Sequence, residues 1–95
     1  MKAIALDPEE AQAYLSLGEL YYDRGQLEEA EQACLKGLQL DAGIPLGYLT
    51  LGYIYLDQDL NQESIDNFQQ FLRLEKSSAA KQIRDEVDAV IDGLK

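Results

Sequence analysis

Residues 14–22 read Tyr14-Leu15-Ser16-Leu17-Gly18-Glu19-Leu20-Tyr21-Tyr22, and residues 48–56 read Tyr48-Leu49-Thr50-Leu51-Gly52-Tyr53-Ile54-Tyr55-Leu56. Tyr14 and Tyr48, Leu15 and Leu49, Leu17 and Leu51, Gly18 and Gly52, and Tyr21 and Tyr55 each stand 34 residues apart. Five identities at one offset are hard to reach by chance in 95 residues. Self-similarity at a fixed period of this length is the signature of a repeat architecture. The register also extends backwards, because Ala3-Ile4-Ala5-Leu6-Asp7-Pro8 aligns with Gly37-Leu38-Gln39-Leu40-Asp41-Ala42. The chain therefore divides into a remnant of a preceding unit (1–10), one full repeat (11–44), a second repeat (45–78) and a tail (79–95) that leaves the pattern.

Each unit reads as two helices. Tyr14, Leu17, Gly18 and Tyr21 fall at i, i+3, i+4 and i+7, one face of a helix. Gly25 interrupts the chain, and Leu27, Ala30, Cys34, Gly37 and Leu38 then mark a second helix. The next unit repeats the scheme. Tyr48, Leu51, Gly52 and Tyr55 mark its first helix, residues 57–61 its turn, and Leu60, Ser64, Ile65, Phe68, Phe71 and Leu72 its second helix. In the tail, Ile83, Val87, Val90, Ile91 and Leu94 form a single apolar stripe, as expected of a helix laid on the end of the stack. Asp7 is placed to cap the first helix, Pro8 suits its first position, and Glu9 and Glu10 favour the positive end of its dipole; Pro45 opens the second unit in the same way. No segment shows strand alternation.

The spacing resembles the 34-residue tetratricopeptide repeat. Tyr14, Leu17, Gly18, Tyr21, Ala30 and Gly37 supply that signature in the first full repeat, and Tyr48, Leu51, Gly52, Tyr55 and Phe68 in the second. The resemblance covers about residues 1–78. It implies an all-α fold: helix-turn-helix repeats in a right-handed solenoid with a C-terminal capping helix. Gly18 and Gly52 then sit where two helices cross too closely for a Cβ, and the tyrosines fill the space between helices. Helices of about 14 residues are marginal alone and gain stability from stacking. Three positions depart from the signature: Cys34 stands for an aromatic, Ser64 for alanine, and Phe71 for a small residue. Phe71 is expected to pack beneath the capping helix.

The resemblance also implies a function: protein–protein interaction, with a peptide or partner helix held in a concave groove lined by the first helices. By repeat register the groove positions are Gln12, Leu15, Glu19 and Tyr22, then Leu46, Leu49, Tyr53 and Leu56. The helix carrying the second set is apolar on both sides, because Tyr48, Leu51 and Tyr55 already form its packing face. Such a helix is buried on both sides, by a ligand or by another part of the chain. One use of the family is a clamp of basic and amide side chains on a partner's C-terminal carboxylate. The matching residues here are Leu15, Glu19, Leu49 and Tyr53; none supplies a positive charge, and Glu19 repels the ligand. The alternative function is a structural spacer or self-association module, a homo-oligomer forming through the open N-terminal edge.

Composition narrows the rest. Eight Lys and Arg against 18 Asp and Glu leave a formal charge of −10. That balance disfavours nucleic acid and anionic membrane surfaces as partners. No apolar run approaches the roughly 20 residues that span a bilayer. The N-terminus lacks a signal-peptide h-region, and a cytoplasmic setting is the expectation for a chain that opens like the middle of a longer protein.

The expectation for chemistry is that there is none: no enzyme, no cofactor, no metal. The chain has no histidine, the usual general base and a common metal ligand. Cys34, on the inward face of a helix, reads as a core thiol. Asp57, Asp59 and Asn61 hint at a calcium loop, but Gln62 stands where such a loop needs glycine and Phe68 where it needs a carboxylate. The remaining acidic residues read as solvated faces, with a basic partner peptide as the functional counterpart.

Overall fold

The computed structural model describes residues 8–95, and the described residues fold into helices without strands. Helix α1 spans Pro8–Asp23, α2 Leu27–Leu40, α3 Pro45–Asp57, α4 Asn61–Leu74 and α5 Lys81–Leu94; a short 3-10 turn, Ser78–Ala80, precedes α5. The cap expected of Asp7 and most of the expected repeat remnant lie outside the described residues. Pro45 does open α3, in the first turn, where its missing N–H costs no helical hydrogen bond.

The turns between α1 and α2 and between α3 and α4 share one geometry at the 34-residue offset. Gly25 has φ +77° and Asp59 φ 62°, both in the left-handed region. Gln26 N–H donates to the Tyr21 carbonyl and Gly25 N–H to the Tyr22 carbonyl; Leu60 N–H donates to Tyr55 and Asp59 N–H to Leu56. These paired bonds satisfy the last carbonyls of α1 and α3 and reverse the chain within three residues. Glycine adopts this conformation freely in the first turn. Aspartate adopts it at a cost in the second.

The reversal makes α1 and α2 antiparallel partners. A Cβ on Gly18 would stand 2.5 Å from the Cys34 sulfur, and one on Gly37 would stand 2.7 Å from Leu15. The α3–α4 pair repeats the arrangement: a Cβ on Gly52 would reach 2.5 Å from the Phe68 ring, and Ser64 Oγ donates to the Gly52 carbonyl at 2.8 Å. Both close crossings fall where the repeat signature places glycine. Ser64 is fully buried, and its bond explains why a polar residue is tolerated there.

Two apolar cores result. The first joins Leu15, Ala30, Cys34 and Leu38 of α1 and α2 to Leu51 and Ile54 of α3, so the second helix pair docks on the first. Tyr55 strengthens that junction by donating its hydroxyl to Glu31 of α2 at 2.6 Å. The second core joins Ile65, Phe68 and Phe71 of α4 to Val87 and Ile91 of α5. Phe71 is 3% exposed, so the departure from a small residue is answered by the helix that covers it.

Two expectations about α1 are corrected. Leu17, expected on the packing face, is 38% exposed, although Leu51 at the same repeat position is 2% exposed. The difference lies in the neighbour: α3 has α2 against this face, whereas among the described residues nothing covers the equivalent face of α1. Leu15, expected in the groove, is fully buried. It points to where α1, α2 and α3 meet, 2.7 Å from a Cβ built on Gly37 and 3.1 Å from one built on Gly47, and no partner reaches it.

Candidate partner-binding groove

The groove forms between α1 and α3. Glu19, Tyr22 and Asp23 come from the last turns of α1, and Leu49, Thr50 and Tyr53 from the middle of α3. Together they line a pocket of about 290 Å³. Four residues expected from the repeat register are thereby brought together: Glu19, Tyr22, Leu49 and Tyr53. Gln12, Leu46 and Leu56 do not line it; Gln12 is exposed, Leu46 packs against the first core, and Leu56 is half-buried. Leu15 drops out as core.

Asp23 and Thr50 were missed. Asp23 stands one turn beyond Glu19, a spacing that puts both on one face of α1 and that could have found it. Thr50 is 6% exposed and donates its hydroxyl to the Leu46 carbonyl at 3.0 Å. Nothing in its residue type singled it out.

The second apolar side of α3 is shared between the chain and the pocket. Leu49 and Tyr53 pack against the core built by α4 and α5, and the Tyr53 ring meets Phe68 edge-on with centroids 5.0 Å apart. On the other side Tyr53 faces Tyr22, with centroids 6.5 Å apart and planes tilted by 37°. The aromatic row Tyr22–Tyr53–Phe68 thus runs from the pocket into the core.

The electrostatics are acidic and the hydroxyls neutral. Burial, and then the neighbouring Asp57 carboxylate, push the Tyr22 hydroxyl up to about 12. Burial, and then Glu86 of α5, raise that of Tyr53. Both tyrosines therefore offer un-ionised hydroxyls at neutral pH. Beneath the groove, burial and then Glu19 push the Cys34 thiol up to about 12, which leaves it a poor nucleophile. Among the described residues no group of three His, Cys, Asp or Glu is placed to hold a metal ion.

Two other hollows are shallower in meaning. One of about 610 Å³ lies along the outer side of α5 near the exposed Lys81–Asp85 pair. Another of about 230 Å³ lies on the uncovered face of α1 and α2, around Tyr14, Leu17 and Tyr21. No described helix is long and apolar enough to cross a membrane.

Antiparallel helix pairs recurring every 34 residues, with small residues at the crossings and a groove along the first helices, define a helical repeat protein. The tetratricopeptide repeat family matches residues 1–32 and again residues 47–78, and the chain belongs to that family. Repeats of this family are generally protein–protein interaction modules on a non-catalytic scaffold, and they typically bind proteins or peptides. No curated protein matches the chain.

Proposed function

We propose that the groove between α1 and α3 docks a peptide or a partner helix. Tyr22, Leu49 and Tyr53 supply the apolar contacts and Glu19 the polar one. Gln12, Leu46 and Leu56 lie on the same helices outside the pocket and touch only a longer ligand. The observation that carries this reading is that α3 is apolar on both sides, yet Leu49 and Tyr53 still line an open pocket after α5 has packed against them. Apolar surface left open beside a polar rim is the usual mark of an interaction site.

The test is partner capture by wild type and by Tyr22→Ala, with circular dichroism on both. Tyr22 is the better probe, because Tyr53 also packs on Phe68 and its removal opens the second core. Equal capture by two folded forms would refute the groove.

A second reading rests on a separate observation. The face of α1 around Leu17 is uncovered, whereas its counterpart around Leu51 is covered by α2. This face suits a helix stacked as α2 stacks on α3, from a neighbouring repeat or a second copy. A mass that stays monomeric over a wide concentration range, unchanged by Leu17→Asp, would remove the self-association form.

A further inference from the structure

The groove is chemically narrower than a general peptide site. Its floor is Leu49, Thr50 and the two tyrosine rings, and its rim is Glu19 and Asp23, both exposed. Asp57 stands by Tyr22 and Glu86 by Tyr53, close enough to act on their hydroxyls. No lysine or arginine lines the pocket. Among the described residues the one ion pair is Lys81–Asp85, so none of these four carboxylates is held in an ion pair. A volume of about 290 Å³ is at the small end of ligand pockets, suited to one long side chain.

We propose that this pocket receives a lysine or arginine side chain from a basic segment of the partner, its alkyl stem on Leu49, Thr50 and the Tyr22 and Tyr53 rings and its charge at the Glu19 and Asp23 carboxylates. The inference rests on the groove reading above and names the ligand class. Lysine and arginine are the side chains that join an apolar stem to a positive head, the same order as this floor and rim. Tyrosine ring faces attract a cation, and the neutral hydroxyls add no competing charge chemistry. An acidic or phosphorylated segment would meet only like charge here. The chain's net charge of −10 draws a basic segment in before contact and leaves the pocket to set the register.

The experiment is selection of a random-sequence peptide library on the 95-residue chain, followed by affinity measurements on the enriched peptides. The expected peptides carry Lys or Arg beside an apolar residue. Their affinity falls about tenfold or more on Glu19→Lys/Asp23→Lys and less on the milder Glu19→Gln/Asp23→Asn, as for lost charge complementarity across an interface. Asp66→Lys/Asp92→Lys makes the same change in net charge away from the pocket and leaves affinity within about threefold, because salt screens distant charges. Circular dichroism verifies that each variant is folded. Enriched peptides without Lys or Arg that still lose affinity on Tyr22→Ala would overturn the cation site and leave the groove standing. Equal losses on both lysine variants would assign binding to the diffuse field and overturn the site. No enrichment over an unrelated control protein would overturn both.

Discussion

Leu51→Ala and Leu17→Ala remove the same atoms from the same repeat position, so the pair measures what a stacked neighbour contributes. Truncation removes three carbons, about 2.4 kcal/mol if each buried methylene contributes about 0.8. Leu51 is 2% exposed between α2 and α3, and its loss leaves a cavity that neighbours do not fill. The expected cost is about 3–5 kcal/mol. Leu17 is 38% exposed, and solvent fills the space it vacates. Scaling the transfer value by its buried share gives about 1.5 kcal/mol with no cavity contribution. The gap of about 1.5–3.5 kcal/mol corresponds to at least about 6 °C in Tm for a domain of this size. Urea unfolding followed by circular dichroism reads it, provided the m-values of the two variants agree. Costs within about 0.5 kcal/mol of each other would refute the reasoning. They would mean that the Leu17 face is covered in solution, and a rise in mass with concentration would identify the cover as a second copy.

Asp59→Gly should stabilise the chain by up to about 1 kcal/mol, because Asp59 holds φ 62° where its counterpart is Gly25; a loss of stability in thermal melts would show that the aspartate side chain compensates the strain. Gly52→Ala should destabilise by about 1–3 kcal/mol, since its Cβ meets the Phe68 ring at 2.5 Å, whereas Gly93→Ala meets nothing within 4 Å and should be neutral or stabilising. Tyr22 titrates near 12 in the folded chain against 10.0 for the free side chain, so its contribution is fully present below pH 10 and is lost as pH rises toward 12; Tyr22→Phe should flatten the fall in stability over that window, and an unchanged profile would count against the assignment.

Much of the fold is legible in the amino-acid sequence. The 34-residue offset, the helical spacing of Tyr14, Leu17, Gly18 and Tyr21, and the glycines at 18 and 52 define helix pairs and their close crossings, because helix periodicity and the need for small residues are local properties. Phe71 in place of a small residue announced a covering helix for the same reason, and α5 covers it. Register places Glu19, Tyr22, Leu49 and Tyr53, four of the six residues that line the pocket, on two adjacent first helices, and it also offered Gln12, Leu15, Leu46 and Leu56, which do not line it.

What the tertiary structure alone decided is which faces are covered. Leu15 and Leu17 are two residues apart and equally apolar, yet one is fully buried and the other 38% exposed. A helix pattern shows that a face is apolar; only the presence of α3 beside Leu15, and of no described helix stacked over Leu17 on the outer side of the α1–α2 pair, determines which one leaves water. The same holds for Tyr53, which ends one ring in the pocket's wall and the core's edge at once, and for Asp59, whose left-handed backbone is imposed by the turn that must bring α4 back onto α3. Burial is a property of pairs of elements, and a single strand of sequence specifies only one member of each pair at a time.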